Sequence, residues 1–490
     1  MTDLVQRPGG TTSGSPHGRR DRDVDEWSSG RENSIVPTIM SFVTVVIALI
    51  MGIRQVQDVD TWWHLKTGQF LLDGGAFGGP DPWVPFATRP FVPTQWLPEV
   101  IAFKGYEWFG LPAIAWLRCV CILLILSALL WCTRRVADTV PALITALAAL
   151  VGTGGSLSER PQLVSFVLLA VWVGASWRTG EDLRPRWWLI PLTWVWALCH
   201  GMWIIGIGVG VIVVAGLLLD RRIDIRQAGR LMLVPLASLA VVALTPVGPR
   251  LLMTPFQVAE NASSFIQEWQ PTSVRGDVFA IVTLILLAGA VTGWVLSSAI
   301  PPWWQIGLAL AAFVATMSMG RTIAVGAIIS APLAAAALQR LRRSTPRAFD
   351  RGSLKRWGSL IVVAALVAVP ASMVIARKPH LTPEGLRPTL SAIPRGSVVL
   401  NDFGISGWLL WAEPDLIPVI DLRSEIYSTE YFQAYRTAEG VRAGWQAYVK
   451  RVNPTFALLR TEAPLSLALQ EQLHWVPLKS AQGFTILRAP

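Results

Sequence analysis

The feature that most constrains this chain is a series of long apolar runs separated by short polar loops. A helix needs about 20 predominantly apolar residues to cross a bilayer. The chain is 52% hydrophobic and only 15% charged, which is too apolar for a soluble protein. The sequence therefore predicts a polytopic α-helical membrane protein with about 11 spans, at residues 35–53, 112–132, 139–155, 162–177, 187–199, 202–219, 231–247, 278–297, 303–319, 322–339 and 358–376.

The basic residues predict the orientation of these spans. Residues 1–33 are rich in Gly, Ser, Arg and Asp without periodicity, which is typical of a disordered cytoplasmic tail. With the N-terminus inside, four of the five inner loops carry clustered Lys and Arg, and an odd number of spans then places the C-terminus outside. If 187–219 were one long span, "DRRIDIR" would lie outside, against this charge rule. The net charge of +10 is explained by these loops, so we expect no nucleic-acid partner.

Ionisable residues collect at the predicted outer ends of the spans. Such groups are costly at membrane depth and are candidates for function. The alternative for each is that it lies in head-group water and only anchors its helix. The residues are Asp58, Asp60, His64, Glu99, Arg160, His200, Glu268 and Arg321.

The stretch "QDVDTWWHLKTGQFLL" (57–72) opens the first outer loop, residues 54–111. Its apolar residues predict a helix that lies along the membrane and ends at Gly74 and Gly75. Asp60 stands at the N-cap position, so capping is an alternative explanation for it. Asp58 has no such explanation. His64 lies one helical turn after Asp60, and its alternative role is interfacial packing.

The last part of the chain, residues 378–490, has ordinary polarity and alternates strand and helix patterns. This alternation predicts a small extracytoplasmic α/β domain. We expect it to cover the outer face of the transmembrane domain, residues 34–377, and to help select the acceptor.

Several motifs together resemble bacterial members of the glycosyltransferase C superfamily, in the subgroup of protein O-mannosyltransferase-like and lipid-sugar-dependent enzymes. The resemblance covers roughly residues 35–490 and implies a multi-pass enzyme of the cell membrane whose active face is extracytoplasmic. The motifs are "DVDTWWHLKTGQFLLDGG", "DPW", "TQWLPEV", "ERPQLVSF", "WALCHGMW", "TPVGPRLL", "EWQP", "GRTIAVGAIISAPLAA", "VVLNDFGISGWLLW" and "PVIDLRSEIY".

The resemblance also implies roles for individual residues. Asp58 corresponds to the catalytic base, with Asp60 as the alternate. The donor is a polyprenyl-phosphate-linked hexose or pentose, transferred with inversion to an acceptor hydroxyl on a glycan, lipid or protein. The positions that bind the donor phosphate correspond to Arg160, His200 and Arg321. The remaining pocket candidates are His64, Glu99 and Glu268.

Elementary chemistry agrees with these roles. Sugar transfer from a lipid phosphate needs a base within reach of the hydroxyl and cations at the leaving phosphate, and Arg can grip phosphate with two N–H groups. The sequence assigns no cofactor and no metal ligand set, although Asp58, Asp60 and His64 leave open a divalent cation.

Two alternatives stay open from the sequence. Cys199 and Thr245 depart from the family pattern before "HG" and before Pro246, so a catalytically inactive membrane scaffold is one. A flippase of lipid-linked saccharides is the other.

Overall fold

The computed structural model describes residues 20–258, 267–298, 300–346, 351–380 and 382–490. A helix corresponds to every predicted span, and seven of these helices are long and apolar enough to cross a membrane. With the small C-terminal sheet, this arrangement confirms the predicted fold class, while the orientation stays a prediction. The helices are α1 (Arg20–Gly52), α4 (Leu111–Thr133), α5 (Thr139–Gly152), α6 (Gln162–Asp182), α7 (Leu189–Cys199), α8 (Trp203–Leu219), α9 (Ile225–Val242), α10 (Val278–Leu296), α11 (Trp303–Ser318), α12 (Ile323–Leu341) and α13 (Arg351–Ile375).

Helix α1 begins earlier than the sequence predicts. It starts at Arg20, so residues 20–33 are helical where we expected an irregular tail. Once an apolar helix exists, each further residue adds one backbone hydrogen bond without a new nucleation step. The other part of the predicted tail, residues 1–19, lies outside the described residues.

Small residues hold the centre of the bundle together. Helix α12 packs against α5, α10 and α11 and is buried along most of its length. A Cβ at Gly293 would lie 2.4 Å from the Cβ of Ala337, and one at Gly326 would lie 2.0 Å from Thr316 Oγ1. Backbones that approach so closely gain dispersion contacts, which drive helix association where lipid removes the hydrophobic effect. Helices α1 and α13 are peripheral and mostly exposed.

The first long loop contains two helices, α2 (Thr61–Leu72) and α3 (Trp96–Phe109), which pack against each other. The predicted helix after Asp60 is therefore present as α2. It stops where Gly74 takes φ +88°, a conformation that glycine adopts without steric cost. Gly68 lets α2 approach α3, because a Cβ there would lie 2.3 Å from the carbonyl oxygen of Glu99.

The C-terminal part is an α/β unit with a five-stranded sheet in the order β2-β1-β3-β5-β4. Strand β1 pairs in parallel with β2 and β3, whereas β5 is antiparallel to β3 and β4. The strands are β1 (Val398–Asn401), β2 (Ile417–Pro418), β3 (Phe456–Arg460), β4 (Val476–Ala481) and β5 (Phe484–Arg488). The helices are α14 (Arg387–Leu390), α15 (Ser406–Ala412), α16 (Thr429–Glu439), α17 (Trp445–Val452) and α18 (Pro464–Leu473).

A buried arginine fastens this α/β unit to the first loop. Arg423 is fully buried, and its Nη1 lies 2.6 Å from Asp81 Oδ2 while its Nη2 contacts Asp421. The rings of Trp83 and Phe91 lie within 5 Å of the guanidinium carbon. Two carboxylates and two aromatic rings compensate the buried charge, which would otherwise be expensive. The α/β unit is thereby held against the loop that carries Asp58 and Asp60.

Candidate active site

One guanidinium joins three carboxylates at the end of the bundle where the first loop begins. Arg160 lies in the turn before α6, and its Nε is 2.7 Å from Asp58 Oδ2 and 3.0 Å from Asp60 Oδ2. Its Nη1 is 3.0 Å from Glu268 Oε2, in a single turn of 3-10 helix. The structure thus brings together four of the eight candidate residues, from three separate loops. Side-chain exposure rises from 4% at Asp58 through 17% at Asp60 to 47% at Glu268, so the cluster opens to solvent on the Glu268 side.

The two aspartates are held by local hydrogen bonds as well. Asp58 Oδ1 accepts the backbone N–H of Asp60 at 2.9 Å, and Asp60 Oδ1 accepts the indole N–H of Trp63 at 3.0 Å. The Asp60 side chain makes no capping bond to α2. The capping explanation for Asp60 is therefore wrong, since its carboxylate faces Arg160 and Trp63.

The shared cation separates the acidities of the two carboxyl groups. Burial alone would raise the pKa of Asp58, but Arg160 outweighs it, so this pKa lies below its usual range. Burial raises the pKa of Asp60, and the Asp58 charge raises it further against the opposing effect of Arg160. The three carboxylates outweigh burial at Arg160 and raise its pKa. Asp58 is thus ionised at neutral pH, and Asp60 holds its proton more strongly.

His64 and Glu99 form a separate buried pair across α2 and α3. His64 Nδ1 lies 2.7 Å from Glu99 Oε1, and the imidazole lies against Trp63 with ring centroids 3.7 Å apart and ring planes tilted by 33°. Burial raises the pKa of Glu99, although His64 lowers it in part. The imidazole of His64 is therefore occupied by Glu99, and the backbone N–H of His64 donates to the carbonyl oxygen of Asp60 at 3.1 Å.

His200 and Arg321 lie in two further turns at the same end of the bundle. His200 Nδ1 accepts the backbone N–H of Met202 at 3.3 Å and lies 3.1 Å from Ser165 Oγ. Burial lowers the pKa of His200 well below its usual value, and the nearby Arg321 charge lowers it further, so the ring is neutral. With Nδ1 accepting, the proton is on Nε2, which has no hydrogen-bond partner in the part of the chain that the structure describes.

Arg321 is the cation that these contacts leave unpaired. It is half-buried in the turn before α12, with its guanidinium carbon 5.5 Å from the centroid of the Trp269 ring. No carboxylate of the described residues lies within ion-pair distance of it. A guanidinium stays charged at neutral pH.

Arg118 supports the cluster and was not identified from the sequence. Arg118, buried within α4, donates to the backbone oxygens of Gly52 at 2.9 Å and Gln55 at 3.2 Å, and it pairs with Glu159. It therefore ties the end of α1 to the turn that carries Arg160. A charged residue inside an apolar span is itself a signal that could have identified Arg118.

Asp58 and Asp60 both direct an oxygen at Arg160 Nε, so in this arrangement the guanidinium stands where the sequence left open a divalent cation. His64, the third suggested ligand, faces Glu99. Within the described ranges, no group of three or more His, Cys, Asp or Glu side chains is arranged to hold a metal ion.

The bundle, the long first loop and the terminal α/β unit together have the glycosyltransferase C fold. The oligosaccharyltransferase of Archaeoglobus fulgidus in complex with Zn and sulfate matches with a TM-score of 0.55 and 11% identity, over 91% of this chain and 73% of that one. The same enzyme tethered to an acceptor peptide containing the NVT sequon gives 0.54 and 13%, over 92% and 74%. ArnT from Cupriavidus metallidurans bound to undecaprenyl phosphate gives 0.48 and 14%, over 92% and 97%.

No protein-family model matches the sequence, and the search of curated proteins gives no match. At 11–13% identity, the likeness to the oligosaccharyltransferase structures establishes the fold and leaves the activity to be argued from the site. The resemblance inferred from the motifs is confirmed at the level of the fold.

Proposed function

We propose that this chain transfers a sugar from a polyprenyl-phosphate donor to an acceptor hydroxyl with inversion, on the extracytoplasmic side of the cell membrane. Asp58 is the general base in this proposal. The single observation that carries it is the cluster in which Arg160 holds Asp58 and Asp60, at the same end of the bundle as Arg321, which has no ion-pair partner among the described residues.

The base must be ionised before it can take a proton. Asp58 meets this condition, because its lowered pKa keeps it ionised at neutral pH. Arg160 and the backbone N–H of Asp60 fix the orientation of its carboxylate. A positioned base of this kind typically contributes 10²–10⁴-fold to a rate. Asp60 is the alternate base, since it is more exposed and binds a proton more strongly.

The reaction is a single displacement. Asp58 takes the proton of the acceptor hydroxyl, whose oxygen forms a bond to the anomeric carbon. The bond from that carbon to the phosphate oxygen breaks on the opposite face, so the configuration inverts. The electron pair of the broken bond stays on the polyprenyl phosphate, where negative charge develops and cations stabilise it.

Arg321 and His200 supply the groups that such a phosphate needs. Arg321 has a guanidinium without an ion pair among the described residues, and neutral His200 offers Nε2–H as a donor. Arg321 also stands just before the N-terminus of α12, where backbone N–H groups favour an anion. The charged guanidinium of Arg321 and the neutral imidazole of His200 can thus both donate hydrogen bonds to the leaving phosphate.

The α/β unit completes the proposed site. It is fastened by Arg423 to the loop of Asp58, so it limits what can approach the cluster from the solvent side. We propose that it selects the acceptor. The structurally similar oligosaccharyltransferase is described with an acceptor peptide and, separately, with Zn and sulfate. The sugar, the acceptor and a requirement for metal are left to experiment.

The test uses purified protein with undecaprenyl-phosphate-linked hexose and pentose, following release of undecaprenyl phosphate in the presence of a membrane extract as the source of acceptor. Asp58→Asn should abolish release, whereas Asp60→Asn should reduce it less. Arg321→Gln should raise the donor KM at least tenfold, and Arg321→Lys should recover part of that loss. The exposed pair Lys104 and Glu107 offers a control, because Lys104→Gln lies outside the cluster.

Each outcome assigns the function differently. Full activity of Asp58→Asn together with an inactive Asp60→Asn would move the base to Asp60. If the wild-type protein binds the donor but releases no undecaprenyl phosphate, the chain is a membrane scaffold. Translocation of labelled donor between leaflets without product would identify a flippase.

A further inference from the structure

We propose that a cavity on the other side of α2 binds the phosphate head group of an anionic membrane lipid that is not the sugar donor. The cavity has a volume of about 500 Å³ and lies between the first loop, the ends of two spans and the α/β unit. The proposed lipid binding does not depend on the proposed transfer reaction. The walls of the cavity include Trp62, Tyr106, Arg377, Arg387, Trp408 and Trp411.

The position of the cavity corresponds to the level of lipid head groups. Its lining includes Leu111, the first residue of α4, and Arg377, two residues after the end of α13. Just before α4, Trp108 and Phe109 are 70% and 58% exposed. Exposed aromatic residues next to the end of a span are typical of the membrane interface.

The lining of the cavity has one net positive charge, since it contains Arg377 and Arg387 against Glu384. Glu384 accepts the indole N–H of Trp408 at 2.8 Å and stands 3.9 Å from Arg387, which also lies 3.6 Å from Glu413. Arg377 donates its Nε–H to the backbone of Met373 at 2.8 Å. Its two Nη nitrogens have no partner within the described ranges, so they are available for bidentate contact with a phosphate.

The neighbouring span provides a surface for acyl chains. Helix α13 ends beside the cavity and has an apolar face that is mostly exposed, including Leu366, Val367 and Val374. A soluble phosphate would use only the arginines. A phospholipid would use the arginines, the aromatic wall and this face together, and for that reason we assign the cavity to a lipid.

The site is separate from the proposed donor pocket. Trp63 faces Asp60, whereas Trp62 packs against Trp411 of the α/β unit with ring centroids 6.3 Å apart. A bound head group would therefore touch both units and hold them together, without contact to Asp60.

The experiment measures lipid binding to the purified full chain in nanodiscs, by thermal unfolding and by native mass spectrometry. Phosphatidylglycerol should raise the unfolding midpoint relative to phosphatidylcholine and remain bound on the protein. Arg377→Gln with Arg387→Gln should weaken phosphatidylglycerol binding about tenfold or more, because two charge-assisted contacts are lost. Arg395→Gln is the matched control, since Arg395 is 86% exposed and pairs with Asp415.

Three results would overturn the assignment, and a further variant covers a failure to fold. Unchanged binding in the double variant would remove the arginines from the site. Equal stabilisation by inorganic phosphate or glycerol phosphate would make it a site for soluble anions. Loss of the lipid effect in Arg321→Gln alone would place the lipid in the donor pocket. If the double variant fails to fold, Arg377→Lys decides: it should keep part of the binding, and complete loss or full retention would each contradict bidentate contact.

Discussion

Gly407→Ala is the substitution that best tests whether the α/β unit positions the aspartates. A Cβ at Gly407, in α15, would lie 2.9 Å from the carbonyl oxygen of Val59 and 3.5 Å from the backbone nitrogen of Trp63. Both neighbours are backbone atoms, so no side chain can rotate away. Val59 stands between Asp58 and Asp60, and relief of the clash must therefore move the loop that carries both carboxylates.

The expected magnitude follows from the size of that movement. The carbonyl oxygen of Val59 must move about half an ångström to reach an ordinary contact distance from the new Cβ. A misplacement of 1 Å at a reacting centre costs about 100-fold in rate. We expect kcat to fall about tenfold, which corresponds to about 1.4 kcal/mol in the activation free energy. Overpacking should also lower the free energy of unfolding by about 1–3 kcal/mol.

The assay is undecaprenyl phosphate release at saturating donor, with the donor KM and the unfolding midpoint measured on the same preparation. Gly440→Ala is the control in the same α/β unit, since a Cβ there would meet its nearest atom at 3.4 Å, an ordinary contact. We expect no change of kcat in that variant. An unchanged kcat in Gly407→Ala, or an equal loss in both variants, would refute the reasoning.

Two further predictions concern the charges of the site, and a third concerns Glu425, in the turn Ser424–Ile426 of the α/β unit. Arg160→Lys keeps a cation, but the lysine cannot reach three carboxylates at once, so the rate of transfer should fall about 100-fold with the donor KM less affected. Equal activity of the variant and the wild-type protein would contradict the shared-guanidinium geometry. Chelation with EDTA should leave activity within about twofold, because Arg160 fills the place of a cation between the aspartates; full inhibition reversed by one divalent ion would show that the cluster rearranges around a metal. Burial raises the pKa of Glu425 to about 7. The folded protein therefore keeps this proton at a pH where the unfolded chain has lost it. The free energy of unfolding should fall as the pH rises from about 5 to above 7. Glu425→Gln should remove that fall and gain about 3 kcal/mol at pH 8 in thermal unfolding scans, whereas parallel pH curves for the two proteins would exclude Glu425 as its source.

The spans and the α/β unit could be predicted from the sequence because their signals are local. A run of about 20 apolar residues contains its own reason to cross a bilayer. Alternating strand and helix patterns likewise indicated the C-terminal unit. Strand β4 has no such local signal, because it is an edge strand, exposed along nearly all its length, and carries Pro477.

The charges at the span ends could be found from the sequence, but their partners could not. Asp60 had the local appearance of a helix cap and proved to face Arg160, 100 residues away, and His64 proved to face Glu99. The composition of a segment decides whether it is buried in lipid or protein, and so the chain by itself determines the bundle. An ion pair depends on distances between segments far apart in sequence, so only the tertiary structure decided which acid each base holds.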